Sequence, residues 1–368
     1  MTITDPYAIA AAFQAGTEAL MEYLSAHVLT CLVPAFFIAG AIAALLDKET
    51  VLKYFGPTAP RWLSYCTAAT SGTILAVCSC TILPMFAGIE KRGAGIGPAT
   101  AFLFSGPAIN LMAIILTARV LGLELGVARA VAAAGMAVVI GLVMASIFER
   151  SEGCPAGKYG TESNPLLPED DPEQTECCRP KYLTPLFMAV LVAILLAATS
   201  SAFGLLPKTA IIAGLVTAAA CIMKRYYLPE EREAFLAETG WLARRIFPLL
   251  AAGTFITGII SYYLPMEWIR DLFGSSSLLA CFLASAIGSV LYMPTLLEVP
   301  IVGTLFGYST GVTAPGPALA LLLAGPSLSL PSMIVIWRVI GAKRASVYIS
   351  LVVIISTLMG MLYGAIIS

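Results

Sequence analysis

The sequence predicts an all-α integral membrane protein with about ten transmembrane helices in two repeated halves, some of them broken or re-entrant. The 368-residue chain is 59% hydrophobic and only 12% charged, whereas soluble proteins average about 25% charged residues. The charges lie in short segments between long apolar ones, as expected where lipid is the solvent. Several motifs also occur twice at a nearly constant spacing, which predicts the duplication.

Composition excludes several classes of function. A net charge of −1 argues against a nucleic-acid partner. The single histidine, His27, leaves no histidine-based metal cage and no Ser-His-Asp triad. The chain has no G-x-x-x-x-G-K-[ST] motif for ATP binding, and Met1–Thr17 lacks the basic residues of a cleavable signal peptide. We therefore expect neither an enzyme nor a bound cofactor.

Ten apolar windows approach or exceed the roughly 17 residues that a span requires. They cover about 24–46, 65–89, 98–118, 125–148, 184–206, 208–223, 246–264, 277–305, 313–337 and 346–366. The window 208–223 is short, so a partial or tilted helix is the alternative there. Residues 1–20 are expected to form a lead-in helix, either at the membrane interface or packed on the bundle.

These windows divide the chain into four regions. Residues 1–148 form the first membrane repeat with its lead-in helix, and 149–183 form a polar flexible linker. Residues 184–239 contain connecting helices and a polar segment, and 240–368 form the second repeat. The linker is assigned because it contains five prolines and the acidic run 169–171, a composition that cannot bury a core.

Four features of the first half recur in the second. They are Gly72 and Gly288, Pro84 and Pro300, Gly106-Pro107 and Gly325-Pro326, and Arg119 and Arg338. The first two pairs are 216 residues apart (288 − 72) and the last two are 219 apart (325 − 106). Internal repeats are the usual construction of secondary transporters. Six intervening spans predict parallel repeats, whereas a lost span or a re-entrant hairpin would make them inverted.

Two cysteines precede a proline inside the second apolar window. Pro84 removes a backbone hydrogen bond, and the freed carbonyl is tolerated only against protein or a wet cavity. Cys78 and Cys80 could together face a soft, thiophilic substrate or metal ion there. Equally, both could be small buried side chains, as free cysteines often are. The second half has no cysteine at the equivalent positions.

The two Gly-Pro motifs predict paired broken helices at the centre of each half. Gly-Pro inside a span interrupts a helix and exposes the positive end of the following half-helix, which is the best sequence indication of a transporter's site. The alternative is a pair of kinks that serve only packing. The predicted substrate-binding residues are Cys78, Cys80, Pro84, Ser105, Gly106, Pro107, Asn110, Thr295, Gly325, Pro326, Ser327 and Ser329.

Glu298 is the clearest ionisable residue deep in an apolar window. A charge at the bilayer centre costs about 2.5–3.5 kcal/mol on insertion scales, so Glu298 should face the protein interior, carry a proton or have a partner. It is a candidate for proton coupling or cation binding, unless it lies near the interface. In the linker, Cys177 and Cys178 could capture a soft metal ion or be inert.

These motifs resemble the family of predicted permeases that includes the organoarsenical-efflux permeases of the ArsP type. The residues that carry the resemblance are 78–84, 93–99 and 104–110 in the first half, and 298–300 and 324–331 in the second. The resemblance implies a multi-pass efflux permease of the plasma membrane without an ATPase domain. It also implies export of trivalent organoarsenicals or, in a related branch, of copper or zinc, and it carries a thiol-binding role onto Cys78 and Cys80.

The predicted partners are therefore the lipid bilayer and a small-molecule or metalloid substrate, and a homodimer is left open. Two other functions stay open alongside the transporter. One is a membrane-embedded redox protein that uses Cys78 and Cys80 as a dithiol, although Cys-x-Cys is not the C-x-x-C of thioredoxin-like motifs. The other is a channel for a different small solute.

Overall fold

The computed structural model describes residues 6–25, 32–45, 60–75, 79–148, 183–199, 205–263, 272–291, 293 and 297–367, and these are almost entirely helical. The helices are α1 (Pro6–Tyr23), α2 (Val33–Leu45), α3 (Arg61–Leu75), α4 (Ser79–Lys91), α5 (Ile96–Ala108), α6 (Leu111–Val120), α7 (Leu123–Phe148), α8 (Leu183–Thr199), α9 (Leu205–Tyr226), α10 (Pro229–Tyr263), α11 (Leu278–Val290), α12 (Glu298–Pro300), α13 (Pro315–Ser327), α14 (Leu330–Ile340) and α15 (Ala342–Ile367). One wider, π-helical turn, Ile301–Leu305, extends α12.

Several of these helices are long and apolar enough to cross a membrane. Within the described ranges, α7, most of α9 and α10, and α15 qualify, which makes four spans. The count rises to six if α5–α6 and α13–α14, two pairs bent by 41° and 51°, are each one span. Four shorter apolar helices accompany them. The all-helical membrane fold is thus supported, whereas the number of ten spans stays a prediction.

The two Gly-Pro motifs do not break their helices where the sequence predicted. Helix α5 continues through Pro107 to Ala108, and α13 continues through Pro326 to Ser327. A proline lacks only its own N–H, so the next turn can still bond: Ile109 N donates to Ser105 O at 2.9 Å. Each break therefore lies two or three residues farther along the chain.

Helix α10 joins a polar segment and an apolar span that the sequence separated. Its 35 residues would extend about 52 Å at 1.5 Å per residue, well beyond a hydrocarbon core of about 30 Å. The predicted boundary between 239 and 240 falls inside this helix. Helix α1 packs along α10, where a Cβ on Gly258 would lie 2.9 Å from Gly16 Cα. The lead-in helix therefore lies on the bundle.

Among the closely packed helices are two groups of three. Helices α3, α5 and α7 pack on one another, as do α11, α13 and α15, and the groups meet where α5 packs on α13 and α7 on α15. Helices α5 and α13 each have 13 residues, and α7 and α15 each have 26. Their first residues are 219 positions apart (315 − 96 and 342 − 123).

Helices α7 and α15 run antiparallel. The guanidinium carbon of Arg344, near the start of α15, lies 5.6 Å from the centre of the Phe148 ring, at the end of α7. Equivalent helices of parallel repeats would share one direction across the membrane. The observed direction is the one that the inverted alternative expects, while the repeat of the two halves itself stays a prediction.

Candidate functional site

Glu298 is fully buried and forms an ion pair with Arg129. The carboxylate belongs to α12 in the second half of the chain, and the guanidinium belongs to α7 in the first. The Nη2 group of Arg129 donates to Oε1 of Glu298. The prediction that Glu298 faces the protein interior is thus met, and the pair connects the two halves of the chain.

A threonine on a third element positions the arginine. Nη1 of Arg129 donates to the Thr117 hydroxyl at 2.9 Å, and that hydroxyl donates to Ala113 O at 2.7 Å. Thr117 belongs to α6, the second helix of the first bent pair, and α12 also packs against α6. The pair is therefore held at the junction of α6, α7 and α12.

The second carboxylate oxygen of Glu298 points towards the second Gly-Pro motif. A Cβ built on Gly325 would lie 3.8 Å from Glu298 Oε2 and 3.8 Å from the Gly288 carbonyl oxygen. Oε2 is buried and has no hydrogen-bond partner among the described residues. The carboxylate and the carbonyl thus both lie within ordinary packing distance of the Gly325 Cβ position.

In the first bent pair, the predicted site residues mainly serve the local structure. Ser105 is buried and donates to Ala68 O at 3.2 Å, which ties α5 to α3. Gly106 and Pro107 are buried in the last turn of α5. Asn110 is the N-cap of α6, and its Oδ1 accepts from Met112 N at 3.0 Å, which satisfies a donor that every helix start leaves open.

The second bent pair has the same arrangement. Pro326 and Ser327 are buried at the end of α13, and the Ser327 hydroxyl donates to Leu323 O at 3.2 Å. Ser329 is the N-cap of α14, where its hydroxyl accepts from Ser332 N at 3.4 Å. Asn110 and Ser329, which are 219 residues apart (329 − 110), thus have the same role in the two bent pairs.

The structure describes the predicted thiol site only in part. Cys78, Thr295, Cys177 and Cys178 lie outside the described residues. Cys80 is the second residue of α4, and its side chain is likewise not described. Pro84 is buried inside α4, which packs against α5 and α14. The thiol role of Cys78 and Cys80 therefore stays a prediction.

The two arginines that recur between the halves lie at helix ends. Arg338, in the last turn of α14, is exposed and lines a shallow groove with Glu90 and Arg245. Arg119 is exposed in the last turn of α6. In the part of the chain that the structure describes, no three His, Cys, Asp or Glu side chains come together as metal ligands would.

Sequence reasoning missed Arg129 and Thr117. Arg129 is the one basic residue in the apolar window 125–148, and an intramembrane arginine needs a counter-charge. That signal could have marked it as a candidate partner of Glu298, the one acidic residue in the window 277–305, but the sequence does not show that the two meet. Thr117 carries no such signal, since threonines are common in spans.

The architecture and the site together define a class of protein. Apolar helices long enough to cross a bilayer, α7, α10 and α15 among them, pack against two bent helix pairs, and a buried ion pair lies beside one of the bends. Ionisable residues buried in membrane helices mark pathways for solutes, ions or protons. This combination is that of a multi-pass membrane permease.

The chain belongs to the ArsP_1 family of predicted permeases, whose family model matches residues 15–365. It is also similar to the UPF0718 protein MJ0584 of Methanocaldococcus jannaschii, with 42% identity over 360 residues, or 94% of each chain. No solved structure matches it. The resemblance noted from the motifs is thus confirmed at the level of the family.

Proposed function

We propose that this permease is a secondary transporter that exports a small thiophilic solute, a trivalent organoarsenical or a soft metal ion, across the plasma membrane. One observation carries this proposal. The buried Arg129–Glu298 pair connects the two halves of the chain beside the Gly325-Pro326 bend. In transporters built from repeats, the substrate and coupling-ion sites lie between the repeats, which is where this pair is found.

The halves are inverted repeats in this proposal. Equal helix lengths, a spacing of 219 residues and the antiparallel packing of α7 on α15 support it. Exchanged contacts support it as well, because α4 of the first half packs on α14 of the second, and α12 of the second half packs on α6 of the first. Inverted repeats allow the two faces of the membrane to be served by related conformations.

Three sets of residues have separate roles in the proposed transport. Cys78 and Cys80 hold the soft atom of the substrate, and thiolates are the ligands that such atoms prefer. The bent pairs α5–α6 and α13–α14 frame the site. Glu298 couples transport to protons: when its carboxylate takes up a proton, it loses the ion pair with Arg129. The two halves of the chain are then held together less strongly at this point.

The experiment is transport by purified protein in proteoliposomes, with trivalent methylarsenic, copper(I) and zinc as substrates. We expect saturable uptake of one of them, driven by a pH gradient. Cys78→Ser and Cys80→Ser should each reduce the rate at least tenfold, while Cys221→Ser, an exposed thiol on α9, should leave it unchanged.

Three results would contradict parts of this proposal. Equal rates for the wild type and both serine variants would remove the thiols from the site. A current that does not saturate with substrate would indicate a channel. A pH dependence that persists in Glu298→Gln would remove Glu298 from proton coupling.

A further inference from the structure

We infer that a surface groove between α4, α10 and α14 binds a phospholipid whose headgroup carries one net negative charge. Helix α10 packs on both other helices, and α4 also packs on α14. Three charged side chains, Glu90, Arg245 and Arg338, line the groove together with apolar ones. We call it the α10–α14 groove. It is separate from the Arg129–Glu298 pair, so its ligand does not depend on which solute the permease moves.

Three helices pass from apolar to charged sequence at this groove. Helix α10 has no charged residue between 246 and 263, α4 has none before Glu90, and α14 has none before Arg338. Charged residues are strongly disfavoured in the hydrocarbon core and are common just outside it. The ends of the three uncharged segments therefore place the groove at the boundary between the hydrocarbon and the headgroups.

The two arginines reach the same depth from opposite directions. Helices α10 and α14 cross where a Cβ on Gly253 would lie 2.5 Å from Pro331 Cα. Arg245 precedes this crossing by eight residues (253 − 245), and Arg338 follows it by seven (338 − 331). At 1.5 Å per residue, these separations are about 12 and 10 Å along the helix axes. Since both arginines line one groove, their side chains start from nearly the same level of the membrane.

The groove continues from these charged side chains towards the hydrocarbon core. One turn deeper, each of the three helices contributes an apolar residue to its wall. The pairs of charged and apolar residues are Glu90 and Ala87, Arg245 and Leu249, and Arg338 and Val335. Residues three or four positions apart lie on one face of a helix, so the charged and apolar residues form a continuous wall. A ligand that fills it has an ionic end and an apolar chain, as a phospholipid does and a free ion does not.

The charge of the groove selects the headgroup. Two arginines and one glutamate give a net charge of +1 (2 − 1) among the described residues that line it. A phosphodiester headgroup with one negative charge neutralises this excess, whereas a zwitterionic headgroup does not. Guanidinium groups bind phosphate oxygens through paired N–H donors, and basic pockets between membrane helices bind anionic headgroups.

Two tryptophans accompany the arginines. The guanidinium carbon of Arg245 lies 5.0 Å from the centre of the Trp241 ring, which also lines the groove. Trp337 precedes Arg338 on α14 and is 51% exposed. Tryptophan is enriched at the level of the lipid headgroups, which agrees with the depth that the uncharged segments indicate. Arg338 is exposed and Arg245 is partly exposed, so both are accessible to a headgroup.

The test measures lipid binding by purified, delipidated full-length protein in a non-ionic detergent, using native mass spectrometry. The probes are phosphatidylglycerol, which has one negative charge, and phosphatidylcholine, which is zwitterionic, with identical acyl chains. The groove variant is Arg245→Gln with Arg338→Gln. The control variant is Arg119→Gln with Arg244→Gln, which removes the same charge from exposed arginines of α6 and α10 that do not line the groove.

We expect the wild type to bind phosphatidylglycerol more tightly than phosphatidylcholine. The groove variant should lose this preference, and its affinity for phosphatidylglycerol should fall about ten- to thirtyfold, the combined effect of two basic residues near an anionic headgroup. Arg338→Gln alone should lose about fivefold. The control variant should keep the preference and the affinity of the wild type. A cooperative thermal transition in each protein shows that it is folded.

Three results would overturn the inference. Equal affinities of the wild type for the two lipids would mean that the groove does not select a negative charge. Equal losses of affinity in the groove and control variants would mean that phosphatidylglycerol responds only to the overall charge of the protein. Displacement of the lipid by inorganic phosphate at millimolar concentration would assign the two arginines to a free anion.

Discussion

At the scale of single residues, the buried Arg129–Glu298 ion pair is the feature with the largest expected effect on both stability and transport. Each charge is fully buried, and either one alone would be costly in apolar surroundings. Thr117 adds a hydrogen bond to the arginine. The pair is therefore an interdependent unit, and its two roles, structural and functional, can be separated by substitution.

The first prediction concerns that unit. Glu298→Gln and Arg129→Met should each lower stability by about 3–5 kcal/mol, because each leaves an unpaired buried charge or polar group. The double variant Arg129→Met, Glu298→Leu should recover most of that loss but not transport. Unfolding in detergent and proteoliposome transport measure the two effects.

Glu124→Gln provides a matched control on the same helix, since Glu124 is exposed in the first turn of α7. It should change stability by less than about 0.5 kcal/mol, as surface substitutions usually do. A double variant no more stable than either single variant would mean that the two charges do not act as a pair.

At the scale of elements, the important feature is how the bent pairs are held. Helix α10 passes so close to the start of α14 that a Cβ on Gly253 would lie 2.5 Å from Pro331 Cα. Asn110 and Ser329 cap the second helix of each pair. These contacts explain why the bends have defined positions despite the apolar sequence around them.

The second prediction compares two glycines of α10. Gly253→Ala should lower stability by about 1–3 kcal/mol, because the added methyl group cannot fit against Pro331 without a backbone shift. Gly240→Ala, on the same helix but facing open space, should be neutral or stabilising by up to about 1 kcal/mol. Thermal unfolding of both variants in one detergent measures the difference, and equal effects would contradict the close crossing.

At the scale of the whole molecule, the arrangement of the two helix groups determines which residues would move together during transport. The groups meet where α5 packs on α13 and where α7 runs antiparallel to α15, and around them α4 packs on α14 and α12 on α6. A rotation of one group against the other would therefore change the surroundings of Glu298 and of the second bend together. This connection is what the proposed transport mechanism uses.

The third prediction tests that arrangement directly. In a cysteine-free background, Phe148→Cys with Arg344→Cys should cross-link with a short thiol-reactive reagent, since these side chains are neighbours. Phe148→Cys with Gly364→Cys should not, because twenty further residues of helix α15 correspond to about 30 Å. Gel mobility after specific proteolysis in the linker reports the cross-link, and the opposite result would indicate parallel helices.

Much of the fold could be predicted because lipid imposes a simple rule on sequence. A chain in a bilayer must satisfy its backbone within helices, so apolar windows such as 125–148 and 346–366 correspond closely to α7 and α15. The bent pairs follow from the two Gly-Pro motifs, although their caps at Asn110 and Ser329 were not predicted. These are local properties, and periodicity and spacing carry them.

The partners across the molecule required the tertiary structure. The sequence indicated that Glu298 needs a partner but did not identify Arg129, which is 169 residues away. It placed the breaks at Gly-Pro, whereas each helix continues one residue past its proline, so that the break lies two or three residues farther. The convergence of Glu298 Oε2 and the Gly288 carbonyl beside Gly325 likewise depends on how three helices cross. Sequence determines which groups cannot remain alone in lipid, but only packing determines which group each one meets, because that depends on the direction and crossing of whole helices.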